Sequence, residues 1–189
     1  MDVFSRYLVA VPIRDKSAQS VAKVLLHHVI FQFGCFQSLI TDNGKEYCNQ
    51  IVSHLCQMMR NDQLRITFYR PASNGRCDIM NKTLHALLGR MVAENQKDWS
   101  AWLPFCVLAY NTTRHGSTGQ TPYRLMFGRE AMIPLDLLLD HSQAFSEMDY
   151  CDFVHEAERK MRQIVKMVQK HQNQKVQRMV RYYNVGVKA

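Results

Sequence analysis

Two acidic residues stand where carboxylates can do chemistry. Asp42 ends an apolar stretch, Phe36 to Thr41, that reads as a β-strand, and Asp42-Asn43-Gly44 supplies the turn after it. Asp78 follows Ser73-Asn74-Gly75 at the beginning of a long helical pattern, and the segment 43–77 between the two holds 35 residues. Open α/β sheets bind ligands at the carboxyl ends of their strands. A strand-end and a helix-start carboxylate can converge on one divalent cation, their hard oxygens suiting Mg²⁺ or Mn²⁺. Two such ions, roughly 3.5–4 Å apart, activate the attacking oxygen and stabilise the leaving one in phosphoryl transfer. Each residue also has a plainer reading, Asp42 as a turn aspartate and Asp78 as an acid favouring a helix N-terminus. Spacing alone leaves both open.

The elements that must position these residues alternate between strand and helix. Tyr7 to Ile13 is a nearly continuous apolar run, as in a strand buried on both faces. Ser17 is placed to cap a helix with Val21, Val24, Leu25 and Val29 on one face, and Gly34 lies beyond its end. A helix is expected over roughly 48–60, a strand over 64–69, and a loop from Pro71 to Gly75. From about Arg76 a helical pattern runs to Ala93. Ser100 then caps a helix with Pro104 in its first turn. Thr121-Pro122 opens a short helix that closes before Gly128, and 129–150 is a loose connection. Residues 152–183 form an amphipathic helix. This is an α/β pattern, although three strands are few for a helix-covered sheet.

The chain of 189 residues carries 24 Lys/Arg against 16 Asp/Glu, a net charge of +8. Residues 151–189 alone hold 9 against 3. Such a basic stripe, including Lys166, Lys170, Lys175 and Arg178, is the electrostatic footprint of a polyanion binder, or else a solvated helix face. The composition excludes collagen-like, low-complexity and wholly disordered classes. No apolar run reaches the 18 or so residues of a membrane span, and no secretory leader is visible. The six cysteines include no C-x-x-C pair and no histidine partners at zinc spacing, so they read as reduced thiols of an intracellular protein.

The words around the acidic residues sharpen the reading. Thr41-Asp42-Asn43-Gly44-Lys45-Glu46-Tyr47 resembles the second-aspartate motif of retroviral and retrotransposon integrases. Pro71 to Leu84 resembles the motif carrying their catalytic glutamate, at the family's 35-residue spacing. Asp98-Trp99, Ala109-Tyr110-Asn111, His115, Ser117-Thr118-Gly119, Thr121-Pro122-Tyr123 and Gly128-Arg129-Glu130 look like the Ty3/gypsy branch.

The resemblance covers about residues 1–140, a catalytic core, and 141–189 is similar to the basic linker helix that follows it. It implies an RNase H-like core in which an Asp, Asp, Glu set holds Mg²⁺ or Mn²⁺ ions that drive attack on phosphodiesters. Carried over, Asp42 matches the second carboxylate and Asp78 stands where the family has glutamate. Asn74 and Gly75 match the turn opening the catalytic helix, and Lys82 a basic position facing DNA. Asp78 keeps the charge but shortens the reach by one methylene, and Ile79 replaces a common arginine. The family's first aspartate has no counterpart, since Asp2 aligns with a different position. The expected fold is therefore an incomplete RNase H-like core, lacking the first strand and most of the second, with a C-terminal amphipathic helix. The expected function is DNA binding by a protein of retrotransposon origin related to DNA integration, without strand transfer, with DNA and a second copy of the chain as partners and the nucleus as one intracellular address. Two alternatives remain: a domesticated protein-interaction scaffold, or a fragment of an active polynucleotidyl transferase whose first aspartate lies upstream.

Overall fold

The computed structural model describes residues 1–65, 71–92, 97–133, 136 and 150–186. The chain divides into two compact units, Val9–Val107 and the pair of segments Met1–Leu8 with Leu108–Ala189.

In the first unit, Ser17 caps α1 (Ala18–Leu25) by accepting the Ser20 N–H at 3.2 Å. A π turn over Leu26–Ile30 and α2 (Phe31–Phe33) continue it, and Gly34 ends the run at φ +83°. β1 (Ser38–Thr41) and β2 (Asp62–Arg65) pair in parallel, Ser38 opposite Asp62 and Thr41 opposite Arg65. Between them runs α3 (Gln50–Met58), capped by Asn49, so β1-α3-β2 is one crossover unit. The fully buried Val52 and the nearly buried Cys56 of α3 meet Val21 of α1, with Leu25, Leu39 and Tyr47 packed around them. α4 spans Pro71–Met91 and α5 Trp99–Thr112.

In the second unit, Thr121 caps α6 (Pro122–Phe127), with Pro122 in the opening position, and Gly128 closes it at φ +74°. α7 (Tyr150–Gly186) seats Ile164 and Val168 against Leu125 of α6, with Phe4 packed on them. Among the described residues no helix is long and apolar enough to cross a membrane.

The architecture is mixed α/β, as expected, with four corrections in its parts. Residues 7–13 form no strand: a ladder needs a neighbour, and no described strand pairs with them. In its place the Asn111 side-chain amide serves Leu8, accepting its N–H at 2.8 Å and donating to its carbonyl at 2.9 Å. Pro71 to Gly75 is not a loop but the beginning of α4, because proline at the first helical position loses no hydrogen bond. Helix α5 begins at Trp99, one residue before the expected Ser100 cap, so Pro104 falls in the second turn. There it leaves the Ser100 carbonyl without its helical donor. β1 and β2 are shorter than expected, and residues 66–69 of the expected 64–69 strand lie outside the described residues.

Candidate metal and nucleic-acid site

Asp42 follows β1 directly, exposed at the carboxyl end of the strand. Its Oδ1 accepts the Gly44 N–H at 3.1 Å, a turn closed over two residues by the aspartate's own side chain. The Gly44 carbonyl then accepts the N–H groups of Tyr47 and Cys48, each at 3.0 Å. A Cβ on Gly44 would stand 2.9 Å from the Glu46 carboxyl and 3.1 Å from Asp42 Oδ1. Glycine here therefore leaves the two carboxylates one shared space.

The turn is held from behind. Gln63 of β2 donates its side-chain N–H to the Tyr47 carbonyl at 2.9 Å, and Ser53 of α3 donates its hydroxyl to Gln63 at 3.3 Å. Asn49 donates to the Glu46 carbonyl while accepting the Val52 N–H to begin α3. Tyr47 leans on the hydrophobic cluster of this unit. Burial pushes its hydroxyl pKa above the usual 10.0, with further push from the charges of Asp42, Glu46 and Cys77. Cys77 belongs to the second turn of α4, so that part of α4 lies within electrostatic reach of the same hydroxyl. Tyr47 was not singled out from the sequence beyond its place in the motif. The signal for it was an aromatic residue two positions before an Asn cap.

Asp78, next along α4, is exposed, as is Lys82 one turn further on. Asn74 and Gly75 lie inside α4 rather than in a turn before it, and the Asn74 side chain is outside the description. A Cβ on Gly75 would meet nothing within 4 Å. Among the described residues no group of three His, Cys, Asp or Glu side chains is arranged to hold a metal ion. The donors themselves suit a hard divalent cation: two carboxylates, with water and phosphate oxygens filling the rest of an octahedron, is a common Mg²⁺ arrangement. They do not amount to the three-carboxylate set that two ions require.

In the other unit, Lys166, Lys170 and Arg178 are exposed along α7. Lys175 is different: its ammonium donates to the Gly116 carbonyl. The carboxylates of α7, Asp152, Glu156 and Glu158, precede these cations, and two are taken locally, Glu156 by Arg159 and Lys160, Glu158 by Arg162.

Comparison with known proteins bears on both regions. Residues 1–73 match the integrase core domain family. The retrovirus-related Pol polyprotein from transposon 412 of Drosophila melanogaster is 33% identical over 130 residues, 69% of this chain and 10% of that polyprotein. The Pol polyprotein of radiation murine leukemia virus (strain Kaplan) is 32% identical over 129 residues, 68% of this chain and 22% of the polyprotein. The chain thus spans between a tenth and a quarter of the length of these two curated relatives. The structure of the HTLV-2 integrase catalytic core domain in complex with magnesium superposes with a TM-score of 0.56 at 15% identity, covering 66% of this chain and 80% of that one. The simian T-cell lymphotropic virus intasome, solved in complex with PP2A regulatory subunit B56 gamma, gives 0.58 at 23% identity, covering 70% of this chain and 48% of that one. The fold is that of integrase catalytic cores, and the chain belongs to the integrase core family of retroelement Pol proteins.

Proposed function

We propose that this chain binds duplex DNA without sequence preference through the cationic face of α7, and that its own residues do not support strand transfer. The observation that carries the first half is charge placement. After Glu158 the sequence contains no Asp or Glu, so Lys166, Lys170 and Arg178 stand exposed with no carboxylate beside them on the helix. Phosphate contacts by such residues release condensed counterions, which makes binding steeply salt-dependent. Binding to DNA assigns the chain's working place to the nucleus, and a Ty3/gypsy-type ancestry agrees with the motifs from Asp98 to Glu130. On this reading residues 1–140 are the core and 141–189 a basic linker and tail, with a second copy of the chain as partner.

The second half rests on Asp78. One methylene shorter than glutamate, it withdraws a carboxylate oxygen by about 1 Å, a displacement that positioned catalysis tolerates poorly. Asp42 and Asp78 would hold Mg²⁺ or Mn²⁺ as a pair, the ion neutralising phosphate charge at the Asp42 turn.

The deciding measurement is fluorescence anisotropy with duplexes of unrelated sequence between about 50 and 200 mM salt. Affinity is expected to fall steeply with salt, and equally for every sequence. Equal affinity across that range refutes the proposal. Replacing Lys166, Lys170 and Arg178 together by Gln is the matching variant. Deleting the helix would remove Ile164 and Val168 from the core and unfold the unit. Joining of DNA ends by the purified chain with Mn²⁺, abolished in Asp42→Ala, would instead establish the transferase reading. Oligomers that persist in high salt without DNA would establish the interaction-scaffold reading.

A further inference from the structure

The loop between α5 and α6 is organised by one imidazole. The His115 backbone N–H donates to the Gln120 carbonyl at 2.9 Å, and the His115 backbone carbonyl accepts the N–H groups of Thr118 and Gly119 at 3.1 and 2.8 Å. Its Nδ1 accepts the Ser117 N–H at 3.2 Å, with the Ser117 hydroxyl 2.9 Å away. A backbone N–H only donates, so neutral His115 carries its proton on Nε2 and leaves Nδ1 bare.

Helix α7 docks on this loop through two residues one turn apart. Lys175 donates to the Gly116 carbonyl, and a Cβ on Gly116 would stand 3.8 Å from its Nζ. The His171 ring lies 3.7–3.9 Å from where a Cβ on Gly119 would project, at φ +71°. Three side chains act on His115: Arg6 from the N-terminal segment, only 5% exposed, Tyr110 from α5 with ring centroids 6.2 Å apart, and Lys175 from α7. The charges acting on the imidazole are both cationic. Burial first, then Arg6 and Lys175, holds its pKa below the ordinary 6.5.

We propose that the His115 loop is an acid-released latch for α7, in which protonation of His115 undocks Lys175 and His171 from Gly116–Gly119. The added proton has only Nδ1 to go to. There it turns the acceptor of the Ser117 N–H into a donor. The Ser117 hydroxyl can rotate to receive it, but the amide loses its partner. The new charge also faces Arg6, fixed in the interior, and Lys175, which sits on a flexible stem and can leave. Because the docked state resists protonation, the latch is whole above the unperturbed value of 6.5 and loosens as pH falls below it. The inference is independent of DNA binding and is read without DNA.

Hydrogen–deuterium exchange of the full chain over 164–175, corrected for intrinsic rates, tests it between about pH 8 and pH 5. Wild-type protection is expected to fall several-fold on acidification. In His115→Asn, whose side-chain oxygen can still accept the Ser117 N–H but does not titrate, protection should stay level. His171→Gln should keep the transition, which assigns it to His115 rather than to the helix's own imidazole. Lys175→Gln retains a donor for Gly116 and removes the repelling charge, so it should flatten the transition while leaving the His115 loop intact. Wild-type protection that ignores pH overturns the proposal, as does a transition of full size in His115→Asn. If His115→Asn fails to fold, a full-size transition in Lys175→Gln is equally decisive against it.

Discussion

Replacing Asn111 with alanine should destabilise the unit containing it more than any exposed substitution in the chain. Asn111 is 2% exposed, and its amide is the sole partner shown for both backbone groups of Leu8, itself 3% exposed. Alanine leaves a buried N–H and a buried carbonyl unpaired, at about 1–3 kcal/mol each, so a total of about 2–6 kcal/mol is expected. Against a typical stability of roughly 5–15 kcal/mol, that is a large fraction. For a chain of this length it lowers the melting temperature by about 4–24 °C. Two comparison variants isolate the cause. Asn111→Leu restores volume but no hydrogen bond and should recover little. Asn111→Asp keeps an acceptor for the N–H but turns a charged oxygen toward the Leu8 carbonyl, and should be at least as damaging as alanine. Urea denaturation gives the free energies, and exchange at the Leu8 amide gives the local effect. A loss below about 0.5 kcal/mol in Asn111→Ala, with the Leu8 amide still protected, would show that water or a rearranged backbone replaces the amide, and that the extended segment does not depend on it.

Three further outcomes are expected. Thr121→Ala removes the acceptor of the Arg124 N–H and the hydroxyl donor to Glu130 at 2.6 Å, and should cost about 1–2 kcal/mol in denaturant melts. The Lys166, Lys170 and Arg178 triple Gln variant should lower the slope of log affinity against log salt by about 0.9 for each phosphate that the helix no longer neutralises, as read in binding isotherms at several salt concentrations. Tyr47 should ionise later than an ordinary tyrosine when absorbance near 295 nm is followed upward from about pH 9, and Tyr47→Phe identifies its step by difference. Its raised pKa means that the unfolded chain ionises first, so its contribution to stability is whole below 10.0 and is lost as pH rises further.

What the sequence discloses divides along the range of the interactions involved. Ser17, Thr121-Pro122 and Gly128 were readable as helix boundaries because a cap is made by a side chain and backbone three or four residues away. The turn at Asp42-Asn43-Gly44 was readable for the same reason. Tyr7 to Ile13 misled because an apolar run reports burial, whereas a strand also needs a neighbour, and the partner of Leu8 is a side chain 103 positions away. Pro71 misled in the opposite direction, since proline punctuates a loop or opens a helix with equal ease. The acidic site was legible as two carboxylates in named motifs. Tyr47, which senses both the Asp42 turn and Cys77, was not distinguished, because its role arises only once α4 lies near that turn. Lys175 read as one more cation on a basic helix, and only the fold shows it spent on the Gly116 carbonyl.

The anchoring of α7 near its middle has a consequence for the remainder of the rod. Past Lys175, its side chains through Arg181 are open to water, Val176 and Val180 half exposed and Met179 more so. A peptide of about a dozen residues, with valines, tyrosines and a glycine among them, sustains little helix unaided. Its coiling is thus borrowed from the seated half, like the outer coils of a spring clamped at one point. Circular dichroism at 222 nm should therefore rise when a polyanion neutralises those outer turns, making helix content itself a gauge of ligand occupancy.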